Sequence, residues 1–161
     1  MEIGSLLQWF DEIILVQKEL VICAEEKKKV IILNQMNELD RIVKGEQKCI
    51  LESRNLEKKR SVIISTMFGN RMGEPVISEI ISAVDDESKL KLQEKVTELT
   101  KLIGQIKMLN AENEQLLKQS LQFINRTLSA VTPVQKKSAG TYSATGSVDH
   151  KKNAGGFSSS I

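Results

Sequence analysis

From Glu87 to Val131 the chain runs without a proline, and apolar residues return every three or four positions. Leu92, Val96, Leu99, Ile103, Ile106, Asn110, Asn113, Leu117, Ser120 and Ile124 trace a heptad seam of about five repeats. A strand, whose side chains alternate with a period of two, cannot carry this pattern. A helix of about 45 residues can, and it would be ~65 Å long. Pro133 ends it. A rod of that length cannot bury its own stripe, so the rest of the chain has to supply partners.

The upstream segments read the same way. Between Ile3 and Ile32, apolar residues at Ile3, Leu6, Leu7, Phe10, Ile13, Ile14, Leu20, Val21, Ala24 and Ile31 form one stripe. A break is expected at Leu33–Asn37. One helix continuing to residue 67 would be ~100 Å long and could not fold its stripe back on itself, whereas a turn makes an αα-hairpin. The second helix is predicted over Met36–Met67, with Glu46 and Ser53 interrupting its stripe and Gly45 inside it. Residues 69–75, GNRMGEP, read as a loop. Pro75 suits the first turn of a short helix over Val76–Val84. Asp85, Asp86, Glu87 and Ser88 suit the start of the last long helix, whose dipole favours negative charge.

These elements predict an all-α fold: an antiparallel helical bundle or coiled coil of three long helices plus one short helix. Residues 1–131 form the helical domain. Residues 132–161 form a flexible tail, because ten of its 30 residues are Gly or Ser and too few apolar side chains remain to offset chain entropy. No apolar run reaches the ~18–20 residues of a membrane span. The acids Glu2, Asp11 and Glu12, with no basic n-region, argue against a secretory signal. With 23 basic and 21 acidic residues the net charge is +2, which does not support nucleic acid as a main partner.

Catalytic chemistry lacks a constellation. The single histidine, His150, lies in the tail beside Asp149, and no phosphate-binding, dinucleotide-binding or metal-ligating motif occurs. No cofactor, metal or small-molecule substrate is therefore expected. Cys23 and Cys49 cannot make a zinc site. In the hairpin, Cys23 faces about residue 45 and Cys49 about residue 19, which is beyond disulfide reach, so two inert thiols are expected. Asn110 and Asn113 fall on the apolar seam, where buried asparagines fix register and partner choice at some cost in stability.

The helix lengths carry the functional signal. Packed antiparallel to the second helix, the third overhangs by roughly ten residues, ~15 Å. That overhang contains Leu121, Phe123, Ile124, Leu128 and Val131. An apolar helical surface without an internal partner is a binding candidate. The other possibility is that the short helix or the first helix folds back to cover it. Tyr142, the only tyrosine, sits between glycines in the tail, as a short docking motif would or as a linker residue without a role.

Three stretches resemble the FlgN family of flagellar export chaperones. They are GEQKCILESRNLEKKR from Gly45 to Arg60, LNAENEQLLKQSLQFINRTLSAV from Leu109 to Val131, and TYSATG from Thr141 to Gly146. The resemblance implies a cytoplasmic, non-enzymatic protein that binds hook-filament junction (hook-associated) proteins and delivers them to the flagellar export gate. Carried over by residue, the client surface is Leu116, Leu117, Leu121, Phe123, Ile124 and Leu128, and Tyr142 contacts the gate. The Ser/Gly-rich end with Lys151 and Lys152 departs from the family pattern. The competing expectation is a structural coiled-coil adaptor without a secreted client.

Overall fold

A computed structural model describes residues 3–69, 73 and 75–131. The predicted flexible tail, with Tyr142 and His150, lies outside them. The fold is all-α: α1 (Ile3–Ile32), α2 (Met36–Phe68), α3 (Ile77–Ser82) and α4 (Asp86–Val131).

The turn after α1 is made by Asn34, which takes the left-handed conformation at φ 55°. The Gln35 N–H donates to the Val30 carbonyl at 3.0 Å and the Asn34 N–H to that of Ile31 at 3.1 Å. This is a Schellman closure, with asparagine in the place glycine usually takes. It reverses the chain, and α2 returns antiparallel along α1. Ion pairs Glu12–Lys59 (2.7 Å) and Lys27–Glu46 mark that register. The two polar interruptions predicted in the second stripe sit inside the interface. Glu46 pairs with Lys27, and the Ser53 hydroxyl accepts a long 3.4 Å hydrogen bond from Gln17 Nε2. Gly45 lies against Cys23, whose Sγ would stand 3.7 Å from an added Cβ.

α4 departs from the expected packing. It lies along α1, not α2, and runs parallel to it. Asp11 pairs with Lys95, Lys18 with Glu98 (2.7 Å) and Lys28 with Glu112 (2.7 Å), so numbers rise together on both helices. The backbones of α2 and α4 do not approach each other closely. α1 is thus the middle rod, covered on two sides, and its buried residues extend beyond one stripe to Trp9, Val16 and Val30. α3 is shorter than predicted and follows Pro75 and Val76. Its Ile80 joins Leu6, Ile64 and Leu92 in the core that closes the N-terminal end of α1. Asp85 starts α4: its Oδ1 accepts the Ser88 N–H at 3.0 Å. That bond holds the Asp85 carboxyl below its usual pKa.

The seam of α4 also shifts. Leu92, Leu99, Ile106, Asn113 and Ser120 turn inward to varying degrees, as predicted. Their companions are Leu102 and Leu109, which are buried, whereas Ile103 and Asn110 are exposed. A straight helix drifts by ~20° per heptad, so the face that meets α1 rotates past the positions a strict repeat selects.

Candidate functional site

The pairing of α1 with α4 sets where α4 leaves the bundle. Asn113 reaches Ala24 and Glu112 reaches Lys28, so the end of α1 at Ile32 stands level with about residues 116–121. α3, at the opposite end of α1, does not reach this region. Every residue from Leu121 to Val131 is exposed. This exposed stretch is ~16 Å long.

Its surface is apolar. Leu121 is 59% exposed, Phe123 71%, Ile124 51%, Leu128 62% and Val131 75%. Arg126 is the single charged side chain in this stretch. Two hydroxyls turn back on their own helix: Thr127 donates to the Phe123 carbonyl at 2.9 Å and Ser129 to that of Asn125 at 2.8 Å. Both thereby satisfy their hydrogen bonding internally and leave the face less polar.

The predicted client residues divide between two faces. Leu117, Leu121, Ile124 and Leu128 step by four, three and four along one stripe. Leu116 and Phe123 lie about a third of a turn away. Leu116 and Leu117 are half-buried where α4 leaves the bundle, and the other four are exposed. Asn113 is buried, with Nδ2 donating to the Ala24 carbonyl at 2.8 Å and Oδ1 lacking a partner. Asn110 lies exposed on the adjoining surface.

Sequence reading missed the hairpin tip. Ile32 and Leu33 are 60% and 63% exposed, and Met36 follows at 43%. These three stand at the level where α4 begins its overrun. The signal was available, since apolar residues flank a polar Asn-Gln turn that needs none.

The thiols remain free. Burial, a 3.5 Å contact to Glu19 Oε2 and nearby negative charge push Cys49 up to about 11; burial and neighbouring carboxylates also raise Cys23. Among the described residues no group of three or more His, Cys, Asp or Glu gathers to hold a metal ion. No described helix is long and apolar enough to cross a membrane.

Comparison with known proteins adds a family. The sequence pattern of the family described as FlgN protein matches residues 1–150. An uncharacterized protein, YvyG of Bacillus subtilis (strain 168), is 25% identical over 133 residues, covering 83% of this chain and 82% of the relative. No solved structure matches the chain.

Proposed function

The chain belongs to the FlgN family of flagellar export chaperones, and on that premise we propose that it binds hook-associated proteins in the cytosol and delivers them to the type III export gate. The single observation that supports the client site is the apolar end of α4, exposed over its whole circumference from Leu121 to Val131. An exported subunit carries apolar helical segments that need cover until they assemble. Such a segment can pack on the exposed surface of α4 beyond Ile32 of α1.

The magnitudes suit a carrier. Each large apolar side chain contributes ~1.5–3 kcal/mol when fully buried. Ordering and association costs remove much of the sum. The remainder corresponds to a micromolar to nanomolar complex, tight enough to hold a client and weak enough to release it. Tyr142 is proposed as the contact with the export gate.

The test is the double variant Leu121→Asp, Phe123→Asp. Both side chains are exposed, so circular dichroism stays helical while pull-down of a purified hook-associated protein is lost. Retained binding refutes the assignment. Tyr142→Ala spares client binding and weakens docking on the gate. Equal loss of both would move Tyr142 into the client site.

A further inference from the structure

Because the backbones of α2 and α4 flank α1 and stay apart from each other, an open trough runs along α1 between them. Ile13, Leu20, Ile50, Leu99 and Ile103 line one part of it, and Ile106 and Leu117 continue it. Ile50 and Ile103 are 44% and 39% exposed. On α4 the positions 103, 106, 117, 121 and 124 lie within about 60° of one another around the axis. The wall of the trough therefore passes onto the exposed end of α4 without a change of face. This explains why a heptad stripe is legible at Ile103 although α1 does not use it.

Three observations define the occupant. The walls are helices and offer no strand edge, so an occupant has to satisfy its own backbone, as a helix does. From Ile103 to Val131 the track is ~42 Å long, which a helix of about 28 residues fills. The unpaired charge is positive. Glu46, Glu57 and Glu114 on the walls are each paired with a cation. Arg54 lines the trough, and Lys107 stands four residues after Ile103 on the same edge; neither forms an ion pair among the described residues.

We propose that one amphipathic client helix with acidic flanks runs from the exposed end of α4 into this trough, as the fourth rod of the bundle. This rests on the chaperone reading above. It makes the trough, and not the α4 end alone, the surface that selects clients.

The experiment uses the full chain with a purified full-length hook-associated protein. A photo-crosslinking residue is placed at Ile103 or at Leu121, and calorimetry is run on Ile103→Glu and on the double charge reversal Arg54→Glu, Lys107→Glu. Crosslinks from both positions should map to one helical segment of the client. Ile103→Glu should weaken binding about tenfold or more. The charge reversal should weaken it several-fold at low salt, with the difference fading as salt rises. Crosslinks from position 121 alone, with Ile103→Glu binding normally, overturn the trough and leave the chaperone reading standing. No binding by the unmodified chain overturns both. If the trough variants split a homodimer in light scattering and leave client binding unchanged, the occupant is a second copy and the proposal fails. The crosslinker at position 103 decides the matter should Ile103→Glu not fold.

Discussion

The side-chain amide of Asn113 donates a 2.8 Å hydrogen bond to the backbone carbonyl of Ala24, 89 residues away in sequence. This bond pins the parallel register of α4 on α1, and the register decides how much of α4 extends past the end of α1. The bond comes with a cost: Asn113 Oδ1 is buried without a partner. The Ala24 carbonyl keeps its place in α1 whether or not the amide is present. Asn113→Leu should therefore stabilise the fold by about 1 kcal/mol, since a buried orphan acceptor costs more than one neutral bond returns. Urea unfolding followed by circular dichroism checks this. A loss of more than ~1 kcal/mol would show that the hydrogen bond outweighs the orphan oxygen.

Lys27 and Glu46 form the least exposed ion pair among the described residues, with side chains 16% and 14% exposed. They meet in the α1–α2 interface one turn from Cys23 and Cys49. Lys27→Met alone leaves a half-buried carboxylate without its cation and should destabilise by about 2 kcal/mol. Adding Glu46→Leu should recover most of that loss, because two apolar groups pack where the charges were. A double-mutant cycle in urea measures both steps. If the single variant costs less than ~1 kcal/mol, the pair behaves as a solvated surface contact.

Much of this architecture was legible in the sequence, and the parts that were not have identifiable causes. The helix ends at Ile32, near Met67 and at Val131 follow from periodicity and turn composition. Asn34 was readable as a break but not as the residue that makes it, because its left-handed backbone is a choice that context enforces. The choice of partner for α4 was not legible. The loop and α3 return the chain to the N-terminal end of α1, from which α4 can run beside either α1 or α2. α1 is broad enough to hold both neighbours: Trp9 donates to the Leu56 carbonyl of α2, while the Ala24 carbonyl accepts from Asn113 of α4. The seam misread at Ile103 and Asn110 has the same root, since a strict heptad also describes the wall of the trough. The overhang of α4 followed from helix lengths, though along the wrong neighbour, and lengths left open whether another helix covers it.

Cys49 makes the fold sensitive to alkaline pH. Burial first, then the contact with Glu19, raise the thiol to about 11. In the unfolded chain it ionises near its ordinary value. A raised folded pKa means that the stabilisation is complete below the ordinary thiol pKa and is lost as pH rises through about 11. The urea midpoint of the native chain should fall across that window more steeply than that of Cys49→Ala. At pH 8 neither thiol should react with a maleimide on the time scale of an unfolded control. Rapid labelling of Cys49 in the folded chain would contradict the burial that raises its pKa.

The exposed end of α4 contributes little to the stability of the bundle, because no residue from Leu121 to Val131 is buried. Ending the chain after Ser120 should leave the free energy of unfolding within ~0.5 kcal/mol of the full chain, as surface changes do. The same truncation removes Leu121, Phe123, Ile124 and Leu128 and should abolish capture of a hook-associated protein. Helical ellipticity should fall only by the share of the residues removed, because the hydrogen bond from Asn113 to Ala24 and the salt bridge from Lys28 to Glu112 lie before the cut. Urea unfolding and pull-down on one preparation separate the two effects. A stability loss above ~2 kcal/mol would mean that residues beyond Ser120 pack on the chain itself, since burial of even one large apolar side chain contributes that much.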